Sequence, residues 1–377
     1  MPAWRIPLFK IYWDEEDVKG VTEIIQSGMN WATGPKVNEF ELQIAEYVGT
    51  KYAIAVNSGT SALHILLLAH GIGKGDEVIV PSFTFIATAN APLFVGATPV
   101  FADIEEITFG LDPDDVKKKI TSKTKAIMPI HFAGSPCMIK PLQEIAKSHG
   151  LVLIEDAAES LGAKINGKKV GTFGDSAVTS FCAPKVITTG EGGAIMTDSK
   201  EIYERLKLLR SHGRAETADY FSSTEYMEYI TLGYNFRMSN ITAALGLAQL
   251  KKIDNIIEMR RKNAEYMTQQ LSGIENIVIP QVPNNIYHLY QMYLIRIKDG
   301  KVTRDKLKDY LAQKGIMTRV YFDPVHLSQF YRNTFGYEGG ELPITEKVSE
   351  QILSLPMYPT LSREEMDYIA EMIGSFF

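Results

Sequence analysis

The stretch Ser180-Phe-Cys-Ala-Pro-Lys185-Val-Ile-Thr-Thr-Gly190-Glu-Gly-Gly193 follows a short apolar run and ends in a glycine-rich turn. Upstream, the run Leu151-Val-Leu-Ile-Glu-Asp156 is likewise apolar until it ends in acidic residues. Unbroken apolar runs of this length are typical of strands covered on both faces, as in parallel sheets. The two stretches therefore predict buried strands, one followed by Lys185 and the other ending at Asp156.

The same pattern extends over the first half of the chain, where short apolar runs alternate with helical patterns. The predicted strands are Tyr52–Val56, Glu77–Val80, Thr98–Ala102, Ala126–Pro129, Leu151–Glu155, Ala177–Phe181 and Ala194–Thr197, and the predicted helices include Ser61–His70, Phe85–Val95, Pro113–Ile120 and Ile139–His149. This alternation predicts an α/β fold with a large, mostly parallel sheet wrapped by helices.

The remainder of the chain predicts a smaller α+β domain. A helical pattern runs from Ser239 towards Leu271 and is expected to link the two parts. It is followed by a predicted strand Tyr290–Ile297, a helix Arg304–Lys314, strand-like segments Met317–Phe322 and Ser349–Leu353, and a final helix from Ser362. We therefore expect a large domain over residues 1–248 and a small one over residues 249–377. The polar and aromatic segment Arg214–Glu228 is predicted to be a mobile loop.

The composition excludes several classes of protein. The chain has 377 residues, of which 45% are hydrophobic and 22% charged, with a formal net charge of −6. The net negative charge argues against nucleic acid as a partner, and no apolar run is long enough to span a membrane. The two cysteines, Cys137 and Cys182, lack metal-ligand spacing and do not form a disulfide framework. We expect a cytoplasmic protein without a metal, since the N-terminus also lacks a secretory signal.

A first candidate binding element lies in Val56-Asn-Ser-Gly59-Thr60-Ser-Ala-Leu63. Here a strand ends, a short turn follows and a helix begins. The free N–H groups of a helix start attract an anion such as phosphate, and Gly59 permits close approach. The alternative is a simple helix cap. The glycine spacing of a Walker loop or of a dinucleotide-binding turn is not present.

Two further junctions carry an aromatic residue and a pair of acids. Phe83 and Phe85 follow the second predicted strand, where an aromatic side chain either stacks on a flat ligand or packs in the core. Asp156 and Glu159 follow the strand at Leu151–Glu155, at the edge of the sheet where α/β proteins bind ligands. A buried carboxylate needs a protonated partner, although Asp156 is equally suited to cap a helix.

Lys185 and Ser180 are the remaining candidate site residues that the residue pattern indicates. A buried lysine amine can form an imine with an aldehyde, and the Ser180 hydroxyl can donate to a phosphate. A carboxylate such as Asp156 can hold a pyridine nitrogen protonated, so that the ring accepts electrons. A lone lysine usually lies on the surface, but this one follows a buried strand and precedes a glycine turn. These residue types together predict a pyridoxal phosphate enzyme.

The motifs, taken in order, resemble those of the DegT/DnrJ/EryC1/StrS family of sugar aminotransferases, which has the fold-type I architecture of pyridoxal-phosphate-dependent transferases. The resemblance rests on Ser58-Gly-Thr-Ser-Ala-Leu63, Gly96-Ala-Thr-Pro-Val100, Glu155-Asp-Ala-Ala158, Gly171-Thr-Phe-Gly-Asp175, Ser180-Phe181 with Lys185, Gly190-Glu-Gly-Gly193 and Gly233-Tyr-Asn-Phe-Arg-Met238, among others. It covers nearly the whole chain.

The resemblance implies a role for each matching residue. Lys185 would bind the cofactor covalently and shuttle a proton. The cofactor contacts would come from Gly59, Thr60 and Ser180 for the phosphate, Phe85 and Asp156 for the ring, and Glu159 near the ring hydroxyl. Asn235 would reach the phosphate of a partner subunit in a homodimer, and Arg319 and His326 would lie near the nucleotide sugar.

The resemblance further implies transfer of an amino group, from glutamate in our prediction, to a nucleotide-linked 4-keto-6-deoxy sugar, as in the perosamine-synthase branch. The alternatives are amination at the 3-keto position and a non-catalytic relative that binds the cofactor or nucleotide sugar or acts as a regulator.

A nicotinamide-dependent oxidoreductase is disfavoured because its glycine turn is missing. Lys185 argues against the dehydratase branch, which carries histidine there. At position 182 this chain has a cysteine where many relatives carry a histidine or an aromatic residue, and this difference affects the predicted sugar pocket.

Overall fold

The computed structural model describes residues 4–215, 224 and 226–377, so that most of the predicted loop Arg214–Glu228 lies outside the described residues. The strands are β1 Tyr52–Val56, β2 Glu77–Pro81, β3 Thr98–Ala102, β4 Thr124–Ile127, β5 Val152–Asp156, β6 Lys164–Ile165, β7 Lys168–Lys169, β8 Ser176–Ser180, β9 Gly193–Thr197, β10 Ile277–Val278, β11 Ile286–Tyr287, β12 Tyr293–Ile297 and β13 Ile352–Leu355. The helices are α1 Glu15–Gln26, α2 Pro35–Val48, α3 Gly59–Ala69, α4 Ile86–Phe94, α5 Pro113–Lys119, α6 Ile139–His149, α7 Lys200–Arg210, α8 Asn240–Lys251, α9 Ile253–Leu271, α10 Lys301–Gln313, α11 Gln329–Phe335, α12 Pro343–Gln351 and α13 Arg363–Phe376.

A seven-stranded sheet forms the centre of the molecule, in the order β1-β9-β8-β5-β4-β2-β3. Strand β9 is antiparallel to β1 and β8, and the other neighbouring strands pair in parallel. The carboxyl ends of β1, β2, β5 and β8 therefore meet at one edge of the sheet. The predicted α/β fold with a large, mostly parallel sheet is confirmed.

Helices cover both faces of this sheet because the strands are apolar on both sides. Helices α3, α4 and α7 pack on one face, in a core that includes Leu66 and Val80. Helices α2, α8 and α9 pack on the other face, where the rings of Phe40 and Phe181 lie 5.2 Å apart. A Cβ atom at Gly246 would lie 2.6 Å from the Phe40 ring, so that this close packing of α8 on α2 requires glycine. Of the described helices, none has the length and hydropathy needed for a bilayer crossing.

A second lobe is built on the antiparallel sheet β10-β12-β13. Its core includes residues of α9, α10 and α13, such as Leu271, Leu307 and Ile369. The N-terminal segment joins the same core, since Ile6 is fully buried there and pairs with Ile316. A third small sheet, β11-β6-β7, connects residues of both halves of the chain. The predicted division of the chain at residue 248 stays a prediction.

Three elements differ from the sequence prediction. The predicted strand Ser349–Leu353 begins only at Ile352, because residues 349–351 form the end of helix α12. The helical pattern from Ser239 to Leu271 forms two helices, α8 and α9, which meet at Lys252. The Lys252 backbone leaves the helical conformation, and its ammonium group contacts Asp14 and Asp17, so that tertiary ion pairs accompany the break. The predicted strand Met317–Phe322 forms only one bridge in the described structure, between Arg319 and Ser354. Arg319, Tyr321 and Phe322 instead line a cavity.

Candidate active site

A cavity of about 500 Å³ lies at the carboxyl edge of the large sheet. The lining residues that follow strands of the large sheet are here called the sheet wall and are Gly59, Thr60, Phe85, Asp156, Glu159, Ser180 and Lys185. Lining residues from the N-terminal segment and from the chain after α9 are here called the second wall and are Leu8, Phe9, Gln291, Arg319, Tyr321, Phe322 and Met357. The fold therefore brings eight predicted site residues to one cavity, namely the seven of the sheet wall and Arg319.

The end of β1 and the start of α3 form one end of the cavity. The Ser58 side chain caps the helix by accepting a hydrogen bond from the N–H of Ser61, at 3.0 Å. The N–H groups of Gly59 and Thr60 lie in the first turn and have no intrahelical acceptor. Gly59 packs against Ser180, since a Cβ atom at Gly59 would lie 3.1 Å from Ser180 Cβ. The arrangement combines free N–H donors, a helix dipole and a hydroxyl, which suits a phosphate group.

The two phenylalanines after β2 have different environments. Phe83 is fully buried, and its ring packs on the Phe132 ring at a centroid distance of 5.0 Å. Phe85 precedes α4, lines the cavity and is 55% exposed. Phe83 is therefore a core residue, whereas the ring of Phe85 is free to stack on a flat ligand.

Asp156 ends β5 with a buried carboxylate that is 3% exposed. Its Oδ2 atom accepts a hydrogen bond from the Thr88 hydroxyl at 2.8 Å, and Oδ1 accepts one from the N–H of Ala158 at 3.1 Å. Among the described residues, no lysine, arginine or histidine forms an ion pair with it. Burial therefore raises the pKa of Asp156, against the effect of these hydrogen bonds. The charge of Lys185 also lowers the pKa of Asp156, but burial outweighs both effects.

Lys185 and Glu159 face each other across the same part of the cavity. The Lys185 Nζ atom donates to Glu159 Oε1 at 3.4 Å, and the lysine side chain is only 16% exposed. Glu159 Oε2 accepts a hydrogen bond from the N–H of Ala133 at 2.9 Å. Glu159 is thus held by a backbone group while its other oxygen orients the amine.

A buried pair behind the sheet wall fixes the end of β5. Nδ1 of His131 accepts the N–H of Cys137 at 3.1 Å, so that its Nε2–H group donates to Glu155, at 2.8 Å. The Glu155 carboxylate also accepts three backbone N–H groups, from Gly171, Phe173 and Gly174. Burial opposes ionisation of Glu155, but these hydrogen bonds give it a lowered pKa. The backbones of His131 and Asp156 are themselves hydrogen-bonded at 2.9 Å, so the pair supports the position of Asp156.

The second wall is held by contacts between segments that are distant in sequence. Arg319 exchanges backbone hydrogen bonds with Ser354, at 3.2 and 2.8 Å. Its guanidinium group lies 4.9 Å from the centroid of the Tyr321 ring. Burial raises the pKa of Tyr321, so that its phenol stays protonated at neutral pH. The N-terminal segment is joined to the same wall, because the carbonyl of Leu8 accepts a hydrogen bond from the N–H of Met357 at 3.1 Å.

The structure places two predicted site residues outside this cavity. His326 is fully buried; its Nδ1 atom accepts the hydroxyl of Ser82 at 2.7 Å, and Nε2 lies 3.2 Å from Glu346 Oε1. Both ring nitrogens of His326 are therefore occupied within the protein. Asn235 is exposed on the segment that pairs with Ser211 and does not line the cavity of its own chain.

Several cavity residues were missed by the sequence reasoning. Thr88 lies one helical turn after Phe85, and this spacing is the local signal that would have found it. Phe9, Gln291 and Tyr321 carry no such signal, because only the packing of distant segments brings them to the cavity.

The residues of the sheet wall fit pyridoxal phosphate. The buried Asp156 carboxylate, which forms no ion pair among the described residues, is suited to accept a hydrogen bond from a protonated ring nitrogen. A side chain at Gly59 would crowd Ser180, and the turn offers N–H groups to a phosphate. Lys185 brings a primary amine to this cavity. These three features match the ring, the phosphate and the aldehyde of the cofactor.

Comparisons with known proteins give the family. The DegT/DnrJ/EryC1/StrS aminotransferase family model matches residues 12–374. GDP-perosamine synthase of Escherichia coli O157:H7 is 38% identical over 372 residues, which cover 99% of this chain and 98% of that protein.

Solved structures give the same result. Helicobacter pylori PseC, an aminotransferase involved in the biosynthesis of pseudoaminic acid, is similar with a TM-score of 0.92 and 31% identity, over 99% of both chains. Spr1654 from Streptococcus pneumoniae, whose structures include a PLP form, has a TM-score of 0.92 and 29% identity over 98% of both chains. The predicted aminotransferase activity and pyridoxal phosphate cofactor are confirmed, and the chain belongs to the DegT/DnrJ/EryC1/StrS aminotransferase family.

Proposed function

We propose that this enzyme transfers an amino group from glutamate to a nucleotide-linked 4-keto-6-deoxy sugar. The observation that carries the proposal is the buried Asp156 carboxylate in the same cavity as the amine of Lys185. The similarity to a GDP-perosamine synthase over nearly the full length supports the sugar class. Amination at the 3-keto position is the alternative that the experiment below must separate.

The sheet wall would hold the cofactor with a separate group for each of its parts. The N–H groups of Gly59 and Thr60 and the hydroxyl of Ser180 would bind the phosphate, and Phe85 would stack on the ring. Asp156 would accept the hydrogen bond of the ring nitrogen, and Glu159 would lie near the ring hydroxyl. When bound, pyridoxal phosphate supplies an electron sink for cleavage of a C–H bond.

Lys185 would act in both halves of the reaction. Its Nζ atom would take a proton from the donor's α-carbon and, in the second half, return a proton to the sugar carbon that receives nitrogen. Glu159 Oε1, which lies 3.4 Å from Lys185 Nζ, would hold this amine in position for both proton transfers. Asp156 would contribute by remaining ionised against the ring nitrogen, which offsets the cost of its burial.

The second wall would contact the substrates. Arg319 is the predicted substrate-binding residue that lines the cavity. His326 is buried and contacts Ser82, so its proposed contribution is to fix the turn after β2 rather than to touch the sugar.

The active unit would be a cytoplasmic homodimer in which Asn235 reaches the partner's phosphate site. In support, Asn235 lies on an exposed segment with exposed apolar neighbours, Ile230 and Leu232, which are 57% and 79% exposed. The same segment hydrogen-bonds Asn57 through Phe236, next to the turn that precedes α3. Mixing Lys185→Ala chains with Asn235→Ala chains should restore activity by creating one intact site, and a monomeric mass by light scattering would contradict the dimer.

A half-reaction screen tests the proposed substrate. Protein loaded with pyridoxamine phosphate is mixed with nucleotide-linked 4-keto and 3-keto sugars, and the return of the visible absorbance of the lysine-bound cofactor is followed. We expect a response to a 4-keto-6-deoxy sugar and formation of the matching amino sugar by mass spectrometry. A response to 3-keto sugars alone would overturn the proposed position. Binding of every sugar without turnover would favour a non-catalytic relative.

A further inference from the structure

Two further residues, Cys182 and Glu191, line the cavity from the loop between β8 and β9. The side chain of Cys182 is half-buried, and its Sγ atom donates a hydrogen bond to Glu191 Oε1 at 3.8 Å. Glu191 itself is exposed. Because both residues line the cavity and one of them is exposed, a molecule that enters the cavity can reach this pair.

The backbone of the loop holds Glu191 in place. The N–H of Phe181 donates to the carbonyl of Gly192, and the N–H of Thr189 donates to the carbonyl of Phe181, both at 2.9 Å. The Thr189 hydroxyl also donates to the carbonyl of Glu191 itself, at 2.7 Å. The Glu191 side chain therefore extends from a fixed backbone, which suits a residue that recognises a substrate.

The three carboxylates that line the cavity differ in their hydrogen bonds. Asp156 accepts a hydroxyl and a backbone N–H group, and Glu159 accepts a backbone N–H group and the amine of Lys185. Within the described part of the chain, the Glu191 carboxylate accepts only the thiol of Cys182, which is a weak donor, and it forms no ion pair. Most of its capacity as an acceptor is therefore available to a ligand.

The pair lies close to the reacting amine along the chain. The N–H of Lys185 donates to the carbonyl of Cys182 at 3.0 Å, so the two residues share one turn. Burial raises the pKa of the Cys182 thiol, as does the charge of Glu191, whereas the charge of Lys185 lowers it. The thiol therefore keeps its proton at neutral pH and remains the donor of the pair.

The chemistry of the two proposed substrates decides which of them fits this carboxylate. Glutamate brings two carboxylates for one ammonium group, and Glu191 would repel both carboxylates. A sugar ring brings neutral hydroxyl groups, and a hydrogen bond from a hydroxyl to a carboxylate is about twice as strong as one between neutral groups. The cationic Arg319 in the same cavity is instead suited to an anionic group.

We propose that Glu191 is a specificity residue that accepts a hydrogen bond from a hydroxyl group of the sugar, and that Cys182 orients its carboxylate. The enzyme thereby selects keto-sugars that carry a hydroxyl group at the matching ring position. The inference rests on the proposed function, since it requires the keto-sugar to react in this cavity.

Variants of Glu191 combined with deoxy sugars test the inference. Glu191→Ala removes the carboxylate, and Glu191→Gln keeps its shape without the charge. Both are compared with the unmodified protein on the nucleotide-linked 4-keto-6-deoxy sugar and on analogues that lack its 2-hydroxyl or its 3-hydroxyl group. The control is Glu144→Ala, at an exposed glutamate outside the cavity lining. The measurements are the KM of each sugar, the KM of the amino acid and the melting temperature.

We expect the KM of the complete sugar to rise about 30-fold in Glu191→Ala and about fivefold in Glu191→Gln, as for the loss of a hydrogen bond to a charged group. For the analogue that lacks the bound hydroxyl group, the unmodified protein should already have a high KM, and the variants should change it little. That analogue identifies the hydroxyl group. The KM of the amino acid should not rise in either variant, because removal of the charge relieves repulsion.

The thiol is tested in the same way. Cys182→Ala should raise the KM of the complete sugar about threefold, because the carboxylate remains but is less well oriented. The increase should again vanish for the analogue that identifies the hydroxyl group. Glu144→Ala should behave as the unmodified protein in every measurement.

An equal rise of KM for all three sugars in Glu191→Ala, or no rise for any of them, would overturn the inference. A loss of affinity confined to the amino acid would also overturn it, because Glu191 would then bind the ammonium group. If the unmodified protein transferred no amino group to the 4-keto-6-deoxy sugar, the proposed function would fall, and the inference with it. The unmodified protein alone therefore distinguishes the two failures.

Discussion

The sheet wall and the second wall of the cavity are built on different principles. In the sheet wall, Asp156 and Ser180 stand at the ends of neighbouring parallel strands, and the buried Glu155–His131 pair supports the first of them. In the second wall, Arg319 and Tyr321 lie in an irregular segment that is joined to β13 by one bridge.

This difference separates two tasks. Strand ends with buried hydrogen bonds give the fixed geometry that proton transfer requires, and both halves of a transamination share that chemistry. An irregular wall can vary in shape without disturbing the sheet, which suits the recognition of substrates. We therefore expect substitutions in the sheet wall to slow both half-reactions, and those in the second wall to affect one substrate more than the other.

The largest effect is expected for Lys185→Ala. Because the lysine amine is the proposed proton carrier in both half-reactions, each should slow by about 10²–10⁴-fold or more. Stopped-flow absorbance with pyridoxamine-loaded and pyridoxal-loaded protein measures the two separately. Lys117→Ala, at an exposed lysine paired with Asp114, is the control and should behave as the unmodified protein. Slowing of only one half-reaction would be incompatible with a shared proton carrier.

Asp156→Asn should produce the next largest effect. An amide cannot hold the ring nitrogen protonated as a carboxylate does, so turnover should fall about 100-fold while much of the cofactor remains bound. Cofactor retention is measured by absorbance after dialysis, and turnover by amino-sugar formation. Near-normal turnover would show that Asp156 is not the partner of the ring.

The same variant predicts a change in the pH dependence of stability. In cofactor-free protein, burial raises the pKa of Asp156, so the folded state keeps its proton at pH values where the unfolded chain has lost it. The stability from this group is full below the ordinary carboxyl pKa and is lost as the pH rises through the raised value. Asp156→Asn should remove this loss and melt higher than unmodified cofactor-free protein at neutral pH. Asp114→Asn, at an exposed carboxylate, is the control; a melting curve shared with Asp156→Asn would contradict the argument.

The two walls also differ in how much of each can be predicted from the sequence. The strand ends at Asp156 and Ser180 and the helix start at Gly59 were predictable, since each lies next to its own apolar run or turn. Gln291 was not, because its contact with Pro184 joins residues 107 positions apart. The packing of Leu8 against Met357 likewise has no local signal.

The prediction of the fold from the sequence is limited in the same way. The strands of the large sheet were predicted within a few residues, because buried strands are continuous apolar runs. The break at Lys252 was not, since it accompanies ion pairs with Asp14 and Asp17 from the other end of the chain. Helices α1 and α2 were not predicted either, although Asp14 caps α1 and Pro35 begins α2.

A moderate and selective effect is expected for Arg319→Gln. The substitution removes a cationic group from the second wall, and we expect the KM of one substrate to rise about tenfold with little change in the other half-reaction. Arg319→Lys, which keeps the charge but loses the planar fork, should recover part of the affinity. Equal slowing of both half-reactions would remove the distinction between the walls.

The smallest effect is expected for Phe9→Ala, and it tests whether the N-terminal segment belongs functionally to the second wall. Phe9 lines the cavity and is 37% exposed, whereas Ile11, two residues later, is 46% exposed and lies outside the lining. Removing the Phe9 ring takes away apolar surface that a substrate would cover, so the KM of one substrate should rise about fivefold, equivalent to about 1 kcal/mol. Ile11→Ala should leave both KM values unchanged. Because Leu8 and Ile6 anchor the segment by backbone hydrogen bonds to Met357 and Gly315, neither variant should shift the melting temperature by more than a few degrees. If Phe9→Ala slowed both half-reactions as strongly as Asp156→Asn, the N-terminal segment would instead have to support the sheet wall.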